Sequence, residues 1–360
     1  MDKKKVLLIV NPKSGKNKNR ASSSEIAAKF SSDNYEFDIR ETTCSGDATN
    51  IVKNSIGEND MVVCCGGDGT FNETINGVMT LNRRVPIGYI PAGSTNDLAN
   101  TIGIPSDIDN AVATISRGNI NQYDIGLFNN RFFSYIASFG VGTNLSYSTP
   151  QKMKNKMGHA AYMINGFVLN LVPTLQSIKP KHIKIEYDGK TLEDNFFFGS
   201  ISNSTSVAGL FKFDKNDVKL DDGKFEVLLV RRVSNPLEAF PLLGKIKRME
   251  YDGDKIIYLK CTNIKMTFDE EIPWTLDGEF GGNQKEIRFS VLNRAIDIIS
   301  DPNPMFIGPA EPDFESESPE EKEKREEKEE KKLRRKRKDK SKDDESDEEP
   351  ETQEAENIQE

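Results

Sequence analysis

Three short runs in the first hundred residues combine glycine with hydroxyl side chains, two of them with carboxylates as well, and the densest is Gly66-Gly67-Asp68-Gly69-Thr70-Phe71-Asn72-Glu73. Glycine is used where the backbone takes positive φ or where a ligand must come close. Thr70 and Asn72 stand where the pattern Phe71, Ile75, Val78, Met79 would begin a helix. Free N–H groups and the positive end of a helix dipole would therefore lie beside the turn and form a site for phosphate. A bare phosphate cradle has no use for the Asp68 carboxylate unless a metal ion comes with the phosphate. The pattern points to a magnesium-bound nucleotide, against the plainer reading of a tight strand–helix turn with a capping acid. A second turn, Gly93-Ser94-Thr95-Asn96-Asp97, repeats the chemistry. Taken alone it is an ordinary helix cap; two such turns in one sheet, each ending in an acid, are harder to explain as accident. Asn11-Pro12-Lys13-Ser14-Gly15-Lys16 adds a third, with lysines to meet phosphate oxygens.

Far downstream, Trp274-Thr275-Leu276-Asp277-Gly278-Glu279 presents two carboxylates two residues apart. On a strand that spacing puts both on one face; around a glycine kink they diverge, one toward a metal and one toward a substrate hydroxyl. A general base must lie within hydrogen-bond reach of the proton that it takes. The competing reading is an Asp- and Gly-rich hairpin turn.

These turns need a scaffold. Val6–Val10, Tyr35–Arg40, Val62–Cys65 and Pro86–Ile90 read as strands, alternating with helical stretches near residues 17–30, Ala48–Ile56, 71–79 and 98–115. Such alternation predicts a parallel, doubly wound sheet, with ligands at the carboxyl ends of its strands. After about Tyr123 the texture changes to short strand candidates: Phe132–Phe139, His182–Tyr187, Asn195–Ser202, Phe225–Val230, Ile256–Cys261 and Ile264–Phe268. They predict a second, antiparallel β domain, interrupted by helical stretches at Gly158–Leu175 and Leu237–Met249. Ile287–Leu292 and Ala295–Ile299 read as closing strands, the last returning to the first domain. The expected organisation is an α/β nucleotide-binding domain at 1–124 with a return segment at 294–308, a β-sandwich at 125–293, and a disordered charged tail at 309–360.

Residues 311–360 hold 22 acidic and 13 basic side chains, which leaves residues 1–310 with 36 of each. The overall charge of −9 thus belongs to the tail, which has too few apolar groups to offset the entropy of ordering. Its basic block, residues 331–338, reads as part of a self-neutralising polyampholyte. Cys44, Cys64, Cys65 and Cys261 show no framework spacing, so a reducing compartment is expected. No signal peptide or spanning segment is expected either. His159 and His182 are single and read as packing or surface residues.

In order and spacing, Asn11–Gly15, Gly66–Thr70, Gly93–Asp97 and Leu276–Glu279 resemble the diacylglycerol kinase catalytic family, in particular its soluble bacterial members. The likeness covers about residues 3–305. It implies an active site between two domains, with ATP held by Asn11, Pro12, Lys13, Ser14 and Gly15. Thr42 (before Gly46-Asp47-Ala48), Gly67, Asp68, Gly69, Thr70, Asn72, Glu73 and Ser94 complete the nucleotide contacts, with Asn96 and Asp97 in the same turn. Ser94 stands where the family usually has Thr, and it keeps the hydroxyl. The resemblance also implies that Asp68 and Asp97 serve active-site Mg2+, and that Glu279 is the base, with Asp277 beside it. Lys219-Leu220-Asp221-Asp222-Gly223-Lys224 matches a turn that binds a structural metal through the Asp222 side chain and the carbonyls of Lys219 and Lys224; read alone, it is a plain hairpin.

The implied activity is transfer of the ATP γ-phosphate to a lipid hydroxyl, by default that of diacylglycerol to give phosphatidic acid. Sphingoid bases and phosphatidylglycerol remain open as acceptors. An NAD kinase shares the Gly-Gly-Asp-Gly-Thr turn, and a catalytically silent binding module is the reading from a different class. The expected partner is a lipid at a membrane surface, met by a cytoplasmic, peripherally attached protein. The stretch 157–169, with its basic flank (Lys152, Lys154, Lys156), reads first as a core helix of the second domain and second as an interfacial helix making that contact; Lys16, Lys18 and Arg20 could add basic contacts to anionic headgroups. Nucleic acid is not expected, and a homodimer is left open.

Overall fold

The computed structural model describes residues 3–307 apart from 16–20, 31–33, 56, 58, 141–178, 208–210, 215, 232–244, 246–247, 249 and 252. The expected helices at 158–175 and 237–249, the basic segments proposed to meet membrane, His159 and the tail lie wholly or mostly outside those residues. The described residues belong to one compact unit, 1–308.

The first part alternates as expected: β1 (Lys4–Val10), α1 (Ser23–Ala28), β2 (Tyr35–Glu41), α2 (Asp47–Ser55), β3 (Met61–Gly66), α3 (Asp68–Val78), β4 (Ile87–Pro91), α4 (Asp97–Ile102) and α5 (Ile108–Arg117). The strands pair in parallel in the order β4-β3-β1-β2. Runs such as Val6–Val10 and Met61–Cys65 are buried along their length because helices cover both faces. On one face Leu8, Val63 and Cys65 pack with Ile26 and Phe30 near α1 and with Val112 and Ile115 of α5. On the other, Leu7, Ile9 and Cys64 pack with Val52 of α2, Phe71 and Ile75 of α3 and Leu98 of α4.

The rest is antiparallel: β5 (Ile120–Phe128), β6 (Arg131–Phe133), β7 (Ile136–Gly140), β8 (Lys181–Tyr187), β9 (Lys190–Ser202), β10 (Ser206–Val207), β11 (Phe211–Lys212), β12 (Phe225–Arg231), β13 (Ile256–Cys261), β14 (Asn263–Leu276) and β15 (Glu279–Ile299). Its own core is aromatic, with Phe139, Phe196, Phe225, Phe268 and Trp274 fully buried.

Three details correct the sequence reading. Phe132–Phe139 is two strands, broken at Ser134-Tyr135. The closing strands are one long strand, β15, whose register shifts between Leu292 and Ile296. The sheet also does not stop at residue 124. β5 crosses that boundary, and β15 pairs with β14 and β5 before meeting β4 in parallel at Ile298 and Ile87. Parallel and antiparallel halves are therefore one hydrogen-bonded sheet with β15 as the shared strand. Glu279, at the start of this strand, lies beside Gly69 of the first half.

Candidate active site

β1 pairs with β2 on one side and β3 on the other, so the chain reverses its direction of travel across the sheet at that point. A crevice opens beyond the carboxyl ends of strands at such a switch point. A cavity of about 430 Å³ lies there, lined by Asn11, Lys13, Ser14 and Gly15 after β1, Thr42, Thr43, Cys44 and Ser45 after β2, Gly67, Gly69, Thr70 and Glu73 at α3, Gly93 after β4, and Glu279. That volume is in the usual range for a small-molecule site.

The turns are fastened to one another. Asn11 donates from its backbone to the Cys65 carbonyl at 2.9 Å and from Nδ2 to Thr70 Oγ1 at 2.8 Å. A Cβ placed on Gly93 would sit 2.6 Å from the Gly67 Cα and 2.6 Å from Asn96 Oδ1. Only two glycines let these turns approach so closely, which is why the motif needs them. Gly93→Ala is expected to cost about 1–3 kcal/mol of stability by overpacking and to weaken ATP binding. Gly57→Ala, with nothing within 4 Å of its added Cβ, should do neither. Thermal unfolding and nucleotide titration of the two variants check this.

Helix termini decide where a phosphate can go. At α2 the donors are already taken: Glu73 accepts from the Gly46 N–H at 2.8 Å and the Ala48 N–H at 3.2 Å. Asp47 accepts from the Thr43 and Cys44 N–H groups at 2.7 and 3.1 Å, and these bonds, with that of the Thr43 hydroxyl, hold its carboxyl far below the usual range. At α3 the N-cap is Gly67, and no side chain caps it. A helix start without a side-chain cap is the arrangement that binds anions, and Gly67, Gly69 and Thr70 at this one line the cavity. Lys13, whose Nζ donates to the Thr43 carbonyl at 3.1 Å, adds positive charge to that wall.

The predicted nucleotide residues divide accordingly. Asn11, Lys13, Ser14, Gly15, Thr42, Gly67, Gly69, Thr70 and Glu73 come together around the cavity, while Pro12, Asp68, Asn72, Ser94, Asn96 and Asp97 do not line it. Glu73 acts as an anchor for the loop before α2. Asn96, at φ +52, accepts from the Gly93 N–H at 2.9 Å and so closes its own turn. Thr43, Cys44 and Ser45, not among the expected nucleotide contacts, join the lining; the Gly46-Asp47-Ala48 run after β2 was the available signal for them.

Asp68 and Asp97 are neighbours that burial disfavours as anions. Asp68 accepts from the Leu98 N–H at 3.3 Å, and burial nevertheless raises its pKa against the backbone donors of α4. Burial, then the charge of Asp68, pushes Asp97 up to about 6. Two adjacent carboxylates that resist ionising together suit a hard divalent cation, which takes one or two carboxylates and fills its shell with phosphate oxygens and water. Among the described residues no group of three or more His, Cys, Asp or Glu could hold a metal by itself.

The acid pair is split. Asp277 and Gly278, at φ +48 and +87, form the turn between β14 and β15. Asp277 is 4% exposed. Its carboxylate accepts from the Ser134 N–H and hydroxyl at 2.6 and 2.8 Å and from the Tyr135 and Ile136 N–H groups at 3.0 and 2.9 Å. It is a buried staple that holds the β6–β7 break, and it does not line the cavity, contrary to the expectation that it works beside the base. Glu279 does line it: a Cβ on Gly69 would sit 3.5 Å from Glu279 Oε1. The residue is exposed overall, but its carboxyl turns onto the N-terminus of α3. The partial burial there, followed by the negative charge of Glu73, raises its pKa, while Arg131 opposes the rise.

At the turn expected to bind a structural metal, the Lys224 N–H donates to Asp222 Oδ1 at 2.9 Å and the Gly223 N–H to Asp124 Oδ2 at 2.6 Å. Lys219 Nζ donates to the Pro304 carbonyl at 2.8 Å. Burial raises the pKa of Asp222 and pushes Asp124 up to about 6. His182 is a surface residue between Glu193 and Asp269, at 3.3 and 3.4 Å.

The chain is 36% identical over 282 residues to the diacylglycerol kinase of Bacillus subtilis, covering 78% of this chain and 91% of that protein. The chain belongs to the diacylglycerol kinase family. The family's diacylglycerol kinase catalytic domain matches residues 5–128, which include the three glycine turns. A diacylglycerol kinase of Staphylococcus aureus is 34% identical over 300 residues, covering 83% of this chain and 93% of that one. A crystal structure of a diacylglycerol kinase from Bacillus anthracis shares the fold, with a TM-score of 0.63 at 24% identity over 83% of this chain and 97% of that chain. Another structure from that organism reaches 0.69 at 26% identity with the same coverage.

Proposed function

We propose that the chain transfers the γ-phosphate of ATP to the hydroxyl of diacylglycerol, yielding phosphatidic acid. The observation that carries this is the meeting of Glu279 with the uncapped N-terminus of α3 in one cavity wall. The nucleotide's phosphates lie against Gly67–Thr70, with Lys13 and the Asn11–Gly15 turn beside them. Glu279 takes the proton from the lipid hydroxyl as its oxygen bonds to the γ-phosphorus. The bond from that phosphorus to the bridging oxygen breaks, and ADP leaves with the electron pair. Such a transfer asks the protein mainly for alignment and charge neutralisation.

Mg2+ fits the Asp68–Asp97 pair, where it would neutralise charge on the phosphates. Asp68→Asn is expected to raise the Mg2+ concentration needed for half-maximal rate about tenfold or more while leaving the fold intact, because the amide still accepts from α4. A superimposable magnesium titration would remove Asp68 from that role. A second cation at the Lys219–Lys224 turn is proposed on the Asp222 side chain and the carbonyls of Lys219 and Lys224. Contact with the bilayer is proposed to be peripheral; among the described residues no helix is long and apolar enough to cross a membrane. The two-domain division is proposed to follow the change from parallel to antiparallel pairing.

The experiment is transfer of radiolabelled phosphate from ATP to diacylglycerol in mixed micelles, run beside a sphingoid base, phosphatidylglycerol and NAD. Labelled phosphatidic acid as the dominant product is expected. Label on NAD alone, or on none of the four, would refute the proposal, and another dominant lipid would reassign the acceptor.

A further inference from the structure

One cation beside Glu279 belongs to none of the motifs. The hairpin joining β5 to β6 turns at Asn129, φ +50, and this residue is laced to β15. Its N–H donates to the Arg288 carbonyl at 2.9 Å, its Oδ1 accepts from the Arg288 N–H at 2.9 Å, and its Nδ2 donates to Gln284 Oε1 at 3.2 Å. Arg131 starts from this anchored hairpin. Its Nη1 donates at 3.0 Å to the carbonyl of Phe280, the residue immediately after Glu279. A guanidinium has five N–H donors in a fixed fork, so its planar geometry can hold a carbonyl in one orientation. Phe280 itself is half exposed, with 51% of its surface open. Two charges act on the Glu279 carboxyl: Glu73, from α3, opposes its ionisation and Arg131, from β6, favours it.

We propose that Arg131 is a positioning residue of the phosphoryl-transfer site, fixing the start of β15 through the Phe280 carbonyl and setting a positive charge against Glu73 at the base. This rests on the kinase reading above. Without Arg131, Glu279 would face the charge of Glu73 unopposed, and it would take up its proton at a higher pH than before. A base must be unprotonated to act, so turnover falls as pH drops through its pKa, and that acid limb should move upward. Lysine restores charge but not the planar fork, so it should return the limb without returning the full rate.

The test is kcat against pH, with saturating ATP and diacylglycerol micelles, for wild type, Arg131→Met, Arg131→Lys and Glu279→Gln. In Arg131→Met the limb is expected about half to one pH unit higher, the modest size proper to an exposed pair. Relative to its own plateau, kcat on the acid side of the wild-type limb should then fall about three- to tenfold, with KM for ATP unchanged. Arg131→Lys should bring the limb back with a lowered plateau. A limb that vanishes in Glu279→Gln yet stays put in Arg131→Met overturns the role of Arg131 alone. A limb that survives in Glu279→Gln removes Glu279 as the base and the present proposal with it. No transfer by wild type sinks the kinase reading itself.

Discussion

Glu279→Gln is expected to lower kcat about 10²–10⁴-fold, the usual worth of a positioned general base, while ATP binds as before. The substitution keeps the size and the hydrogen-bonding reach of the side chain and removes only its capacity to take a proton. In the proposed site the nucleotide contacts come from the glycine turns and Lys13, and glutamine keeps the side chain of residue 279 against the start of α3. In the ground state the change even relieves a repulsion, since Glu73 faces the same carboxyl. Binding and turnover should therefore separate cleanly: titration with ATP gives the wild-type affinity, and single-turnover transfer to diacylglycerol gives the loss. A variant that turns over at the wild-type rate would show that the lipid hydroxyl loses its proton elsewhere. A variant that also loses ATP affinity would show that Glu279 orders the phosphate turn instead.

How much of this was legible in the chain depends on how far each cause lies from its effect. β1 and β3 were readable because strands buried on both faces must be apolar throughout, and their carboxyl-end turns because glycine is needed where Gly67 meets Gly93. β5 was not readable. Asn121, Gln122 and Asp124 interrupt its apolar pattern, and Asp124 is accommodated inside the sheet by the Asn293 side chain and the Arg294 N–H, at 2.8 and 2.6 Å, partners some 170 residues away. The break at Ser134-Tyr135 has no glycine or proline to mark it; its cause is Asp277, 143 residues on. The i, i+2 spacing of Asp277 and Glu279 was visible, but spacing cannot tell a strand, which would align the two acids, from a turn, which sends one inward and the other out. The site as a chemical inventory was local and legible. The assignment of roles within it was set by long-range contacts.

Those contacts give Asp277 a test that separates scaffold from chemistry. Asp277→Ala is expected to destabilise the protein by about 3–5 kcal/mol, because it strands three buried backbone N–H groups and the Ser134 hydroxyl without acceptors. Asp277→Asn should cost less, about 1–3 kcal/mol. Its carbonyl oxygen still accepts one set of bonds, and asparagine tolerates the positive φ of this turn. Its NH2 group, however, would face the donors that the second carboxylate oxygen now satisfies. Denaturant unfolding measures both variants, and kcat for Asp277→Asn, taken at a temperature where the variant is folded, measures the consequence for the site. If Asp277 only shapes the turn that presents Glu279, the rate should drop by about tenfold or less and the acid limb should stay where the wild type has it. Loss of turnover as deep as that of Glu279→Gln, in a variant shown to be folded, would mean that the buried acid takes part in proton transfer. Wild-type stability in Asp277→Ala would mean that the hydrogen bonds to Ser134, Tyr135 and Ile136 are not what holds the turn. The two acids thus make opposite forecasts from the same short run of sequence: unfolding should report chiefly on residue 277, and catalysis chiefly on residue 279.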